Sequence, residues 1–352
     1  MKIGNDILVI PQESLGAKGF FYVGGKVSGQ DGKRFISGQM FVEVYVPKKI
    51  TKQYPLILFH GAGQTNVNWL GTPDGRMGWA DYFVQRGYIV YLAEQPARAR
   101  SAYHPQVDGA QMYAPLEKLE KRFTSNHGLW ERSKLHSQWP KNEGNIGDKT
   151  FMEFAAAQVE YLPSNKASQQ LVQNVAKELL DKTGPAILLT HSQSGPFGWN
   201  IADAFPDLVK GIVALEPSGP PFSENFSSDV AQNYGITELP LHFTPPIANP
   251  QEIKLKLLKS RASIESDGWV FQEPAPKLPT FIGIPILLLV SESSYHSNYD
   301  HLTSYVLNQC AVQHDFVRLE DIGLKGNGHM MMLENNNLDI AAYIDAWLRK
   351  HI

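Results

Sequence analysis

Eight short apolar runs divide the chain, at residues 20–23, 40–46, 56–59, 89–93, 186–190, 211–215, 285–290 and 315–319. The first two lie close together with Gly, Asp and Lys turn residues between them, which predicts an antiparallel start. The runs at 89–93, 186–190, 211–215 and 285–290 are nearly continuous Ile, Leu and Val. Strands of that kind are buried on both faces, as in a parallel sheet. Helical periodicity fills intervals at 78–86, 168–182, 197–205 and 338–350. The alternation predicts an α/β fold in one domain over 1–352, a mostly parallel eight-stranded sheet flanked by helices.

Two stretches break the rhythm. Residues 101–165 mix His, Trp, Pro and charge without a clear strand, and residues 217–280 are rich in Pro and aromatics, with a helical pattern near 252–263. Both far exceed ordinary loop length. They read as cap or lid insertions on a core formed by residues 20–100, 166–216 and 281–352.

Composition narrows the classes. The chain is 43% hydrophobic and 19% charged over 352 residues, enough apolar material for a large core. A net charge of −3 leaves no basic excess for nucleic acid. The single cysteine, Cys310, excludes an intrachain disulfide framework and a multi-cysteine zinc site. Followed by Ala311 and Val312, it reads as a buried, inert thiol. Asp6 and Pro11 interrupt the apolar N-terminal run, which is too weak for a signal peptide or a membrane span. The default expectation is a cytoplasmic protein, although a processed periplasmic or secreted form would read the same way. Asn225-Phe226-Ser227 fits the glycosylation sequon, a triplet that chance often produces.

Candidate chemistry lies at the ends of the apolar runs. In ILLTHSQSGPFGW, residues 187–199, a strand runs into a Gly/Pro-marked helix start. A strained strand-to-helix turn of this kind presents a nucleophile, usually as G-x-S-x-G. Ser192 follows the apolar run directly. Centring the motif on Ser194 would put Pro196 where a glycine is required, so Ser192 is the candidate nucleophile. A serine there could instead simply cap the helix. His60-Gly61-Ala62-Gly63 follows the 56–59 run, where this fold places an oxyanion-hole amide. The N–H groups of Ala62 and Gln193 are the candidate donors. The base should come last in chain order. His329 does so, in the glycine-marked loop GLKGNGHMMML ahead of the terminal helix. For the acid, Glu292 and Asp300 follow the seventh run, while Glu216 ends the sixth, where an unpaired carboxylate would be costly.

The chain resembles the bacterial serine esterases of the α/β-hydrolase fold in which the triad acid is a Glu after the sixth strand. The matching stretches are HGAG at 60–63, TPDGRMGWADYFVQRGY at 72–88, QPARARS at 95–101, THSQSGPFGW at 190–199, ALEPSG at 214–219 and GNGHMMM at 326–332. The resemblance implies Ser192 as nucleophile, Glu216 as acid, His329 as base, and oxyanion donors at Ala62 and Gln193. Family members can carry adjacent cysteines at the positions of Ala62 and Gly63, which this chain lacks. Ala99 stands where a glycine is common. For assembly the resemblance favours a homodimer.

Arg98, Arg100, Asp74 and Arg76 are expected to form ion pairs that fix loops, with an acidic substrate as the other use of the arginines. Gly63, Trp69 and Trp199 are candidates for substrate contact, and Trp79 for the mouth of the site. Core packing explains the tryptophans equally well. The expected protein is a serine carboxylic-ester hydrolase for a small or medium ester, acting through an acyl-enzyme without metal or organic cofactor. The rivals are a hydrolase-fold binding protein with little turnover and a lactone or amide hydrolase.

Overall fold

A computed structural model describes residues 2–3, 7–124, 128–141, 144–222, 232–260, 262 and 264–352 of the chain. The sequon at 225–227 lies outside the described residues. One sheet is built from β1 (Leu15–Ser28), β2 (Phe35–Pro47), β3 (Leu56–Phe59), β4 (Val90–Glu94), β5 (Ala186–His191), β6 (Val209–Leu215), β7 (Ile286–Val290) and β8 (Asp315–Arg318). Their spatial order is β8-β7-β6-β5-β3-β4-β2-β1. β2 runs antiparallel to both β1 and β4, and β3 through β8 are mutually parallel.

Strand periodicity splits the side chains between two cores. Ile57, Phe59, Leu188, Ile212 and Leu288 enter one core. Leu56, Leu58, Ile187, Leu189, Val213 and Leu287 enter the other. Helices α2 (Asn165–Thr183), α3 (Gly195–Ala204) and α4 (Asp300–Gln309) cover the first. Helices α1 (Trp79–Gln85) and α5 (Asn337–His351) cover the second. α2 shows why such segments are helical. Val172, Val175, Ala176 and Leu179 recur at helical spacing and are buried. Ser164 caps its start, accepting from the Ala167 amide at 3.1 Å.

The helical pattern expected near 252–263 is corrected. Leu255–Leu258 is instead a strand paired antiparallel with Gly268–Phe271. Lys254-Leu255-Lys256-Leu257 alternates with a period of two, and that local alternation wins over the coarser helical spacing. Cys310 is buried as expected, and burial pushes its thiol up to about 12.

The ends of β5 and β6 are locked together. The Ser218 amide donates to the Ser192 carbonyl at 2.9 Å. Gly195, the first residue of α3, lies so close to the neighbouring loop that a Cβ there would sit 2.3 Å from Pro217 Cβ and 2.6 Å from its Cα. Backbone cannot yield as a flexible side-chain tip can. Gly195→Ala is therefore expected to destabilise the fold by about 2 kcal/mol or more, read as a fall in the urea midpoint at unchanged m-value.

Candidate active site

β5 ends at His191, a single 3-10 turn spans Ser192–Ser194, and α3 begins at Gly195. Ser192 sits at φ 54°, a left-handed conformation that costs a non-glycine residue about 1 kcal/mol. Its half-buried side chain faces a cavity of about 820 Å³ that His329, Ala62 and Gln193 also line. Ser194 has a different task. Its fully buried hydroxyl accepts from the His191 amide at 2.8 Å and reaches the Phe59 carbonyl at 2.8 Å, tying the turn to β3.

Glu216 follows β6 at φ 44° and is fully buried. Its carboxylate accepts from the Ser291 amide at 2.7 Å, the Ser294 hydroxyl at 2.7 Å and His329 Nδ1 at 2.5 Å. The two rival acids are held elsewhere. Glu292 accepts from the Gly326 amide at 2.7 Å and faces Arg132 at 3.5 Å. Asp300 meets His296 Nδ1 at 3.1 Å, forming a second buried carboxylate–imidazole pair beside the first.

The His329 ring is held by its neighbours. His296 stacks on it at 4.8 Å between centroids with 5° between planes, and Phe123 stacks at 5.4 Å. Its carbonyl takes the Nε2–H of His191 at 3.0 Å. Nε2 of His329 faces the Tyr295 hydroxyl at 3.4 Å. Among the described residues no hydrogen bond joins it to Ser192 in this conformation.

Gly61 packs closely here: a Cβ would lie 3.1 Å from both Ser192 Cβ and His191 Nδ1 and would press on the turn. The loop after it is fixed by Arg98, which donates to the Gly61 and Gln64 carbonyls at 3.2 and 3.1 Å and reaches Gln193 Oε1 at 3.3 Å. An ion pair was the expectation for Arg98. The buried guanidinium meets carbonyl and amide oxygens instead, because no carboxylate of the described residues comes within ion-pair distance. Arg100 pairs with Glu43 and Glu94 at 2.9 Å each, and Arg76 with Asp74 at 2.9 Å, as expected.

The expected substrate contacts at Gly63, Trp69 and Trp199 are not on the cavity wall. Trp69 is fully buried against Trp79, with 5.8 Å between centroids, and Trp199 against Phe281 at 6.3 Å. Gly63 holds the chain instead, its carbonyl accepting from the Val159 amide at 2.8 Å. Glu216, His296 and His329 present ligand atoms within 4.8 Å of one another, a spacing that suits a metal. Those atoms are already engaged, however: both His296 nitrogens meet Asp300 and Tyr299, and Glu216 takes its three donors.

No family model matches the chain. The probable secreted lipase phiG of a fungus (Fungal sp., strain ATCC 74256) is 40% identical to it over 345 residues, which are 97% of this chain and 92% of that one. The chain belongs to this lipase family. A solved structure described as a novel bacterial esterase aligns over 98% of both chains at 22% identity with a TM-score of 0.66, a likeness of fold. The sheet order and flanking helices are those of an α/β-hydrolase.

In this member of the lipase family, burial sets the electrostatics of the site. Desolvation, then the neighbouring His296 ring and the Arg122 guanidinium, hold His329 well below the usual imidazole range. Burial pushes the Glu216 carboxyl up to about 7, against the pull of His296, Ser294 and Ser291. Both shifts disfavour charge in the empty site. Sequence reasoning missed Arg122, Phe123, Tyr295 and His296 around the base. The run SYHSNYD at 294–300 carried a signal in its density of aromatic and ionisable residues.

Replacing Ser194 removes a buried hydroxyl and leaves the His191 amide without its acceptor. Ser194→Ala should cost about 1–3 kcal/mol of stability, measured by denaturant titration.

Proposed function

We propose that the protein is a serine carboxylic-ester hydrolase with Ser192 as nucleophile, His329 as general base and Glu216 as the acid that orients it. The observation that carries this reading is the 2.5 Å contact from His329 Nδ1 to Glu216 Oε2, which leaves Nε2 free of the carboxylate in a residue that lines the same cavity as Ser192. Ser192 Oγ attacks the ester carbonyl while His329 Nε2 takes its proton. Glu216 compensates the imidazolium that forms. The N–H groups of Ala62 and Gln193 receive the negative oxygen, each worth about 3 kcal/mol on the transition state. The alcohol leaves with the proton from His329, and water activated by the same ring hydrolyses the acyl-enzyme. The Ser192–His329 hydrogen bond forms when substrate displaces Nε2 from the Tyr295 hydroxyl, as catalytic contacts tighten in the Michaelis complex. The two segments 101–165 and 217–280 act as a cap, since both supply cavity wall: Met112, Arg122 and Tyr161 from the first, Ser218, Asn233 and Glu238 from the second. The fungal relative is named as secreted, which supports an extracytoplasmic location over the cytoplasmic default.

A fluorophosphonate is expected to leave a single adduct on Ser192, located by peptide mapping, with turnover of p-nitrophenyl butyrate abolished. An adduct on Ser194 would overturn the assignment. A folded sample with neither adduct nor turnover would favour a ligand-binding protein. Glu216→Gln should lower kcat by about three to four orders of magnitude, and Glu292→Gln by far less. The reverse order would move the acid to the loop after β7.

The base works only when neutral, so activity is lost as pH falls through the His329 pKa. With that pKa held down, the acid limb of kcat/KM should lie below about pH 6.5, the ordinary imidazole value. A limb above that value that persists in Glu216→Gln, where the raised carboxyl no longer contributes, would contradict the burial argument.

A further inference from the structure

We propose that Arg122 is an anion subsite of this cavity and that the natural substrate is an ester carrying a carboxylate near its scissile bond. The inference rests on the hydrolase reading above and names its substrate class.

Arg122 lies in the single turn Glu120–Thr124 and lines the same cavity as Ser192 and His329. Its guanidinium carbon sits 3.9 Å over the centroid of the Tyr295 ring, whose hydroxyl faces His329 Nε2 at 3.4 Å. The cation is thus one tyrosine ring away from the proposed base. Among the described residues no carboxylate comes within ion-pair distance of it. The oxygens that bear on its charge are the phenols of Tyr295, Tyr299 and Tyr161, which favour the cation, Tyr295 also by a hydrogen bond; each phenol is held above the usual tyrosine range and is neutral, so none is a counter-charge.

Other well-covered guanidiniums of the chain are matched. Arg132 has Glu320, Arg318 has Glu265, and Arg98 has its carbonyls. A half-buried cation without a counter-charge carries part of the desolvation cost of a buried one. The cost is offset when an anion arrives, and the planar fork of a guanidinium fits a carboxylate with two parallel hydrogen bonds. The rest of the wall does not cancel this charge. Lys118 adds a second cation, while the wall's one carboxylate among the described residues, Glu238, already faces Lys166. The cavity is therefore positive in a chain of net charge −3.

The position of Arg122 also couples binding to chemistry. Its charge is one of the influences that depress His329. A substrate carboxylate seated on Arg122 neutralises that influence and makes His329 a stronger base when substrate is present.

The test compares two esters of equal acyl length, mono-p-nitrophenyl glutarate and p-nitrophenyl valerate, on the full chain. The wild type should favour the glutarate in kcat/KM by about tenfold or more, the worth of a charge-assisted pair. The ratio should fall to about one in Arg122→Met and recover in part in Arg122→Lys. Arg122→Met should also move the acid limb of valerate hydrolysis to higher pH, which a residue that only packs against Tyr295 would not do. A wild type that prefers valerate, or a ratio unchanged in folded Arg122→Met, overturns the proposal. If neither ester turns over, the hydrolase reading has failed separately, and calorimetry with glutarate decides the subsite. Binding weakened about tenfold in Arg122→Met supports it, and no binding to the wild type overturns it.

Discussion

A buried carboxylate with no cationic side chain opposite it is the constraint around which the site is arranged. Glu216 stands at the end of an apolar strand and is fully buried. Its three hydrogen-bond donors are a backbone amide, a hydroxyl and an imidazole. A lysine or arginine in their place would lock the charge permanently. Neutral donors leave the carboxylate free to answer a charge that appears only on the neighbouring ring. Breaking any one donor exposes the full desolvation cost of the group. The loop after β7, which supplies Ser291 and Ser294, is thereby tied to the loop that carries His329.

That arrangement needs two residues in left-handed backbone. Ser192 and Glu216 are both non-glycine residues at positive φ, at the ends of adjacent strands. Strain of this kind persists only where surrounding contacts over-determine it. They do so here through the Ser218–Ser192 backbone bond, the Gly195–Pro217 contact and the buried Ser194 hydroxyl. Ala97 and Ala99 also adopt positive φ, beside Arg98, whose guanidinium anchors the Gly61 and Gln64 carbonyls. Ala99, at φ 46°, holds a left-handed conformation that glycine adopts without steric cost.

Legibility in the sequence follows burial symmetry. β3, β5 and β7 were visible because both faces are buried, so their side chains form continuous apolar runs. α4 was not, because DHLTSYVLNQ places only Leu302, Val306 and Leu307 among polar residues, several of them buried through hydrogen bonds rather than apolar contact. Ser192, Glu216 and His329 could be nominated because each closes a strand or its loop; chain order left Glu292 and Asp300 open beside Glu216, and the family resemblance chose between them. The groups around the base were not legible. Tyr295 and His296 reach His329 only because the loop after β7 folds back in a 3-10 turn, Tyr295–Asn298. Arg122 and Phe123 reach it only because the 101–165 segment drapes over the strand ends. Neither path has a periodic signature.

The two deeply placed arginines near the cavity illustrate how one side-chain type serves two ends. Arg98 spends its donors on carbonyl and amide oxygens, so its charge is held by dipoles that cannot leave, and it stiffens the loop bearing Ala62. Arg122 is bounded by aromatic faces and neutral phenols, which accept a cation but compensate it weakly. A guanidinium matched by fixed dipoles is structural by construction. A guanidinium held by π-faces and neutral phenols on the wall of a cavity has no counter-charge among the described residues. Its charge reaches the His329 imidazole across the Tyr295 ring and adds to the desolvation that lowers its basicity. In the proposed reading the same charge would also draw an anion into the cavity, so substrate selectivity and the basicity of His329 would be set together.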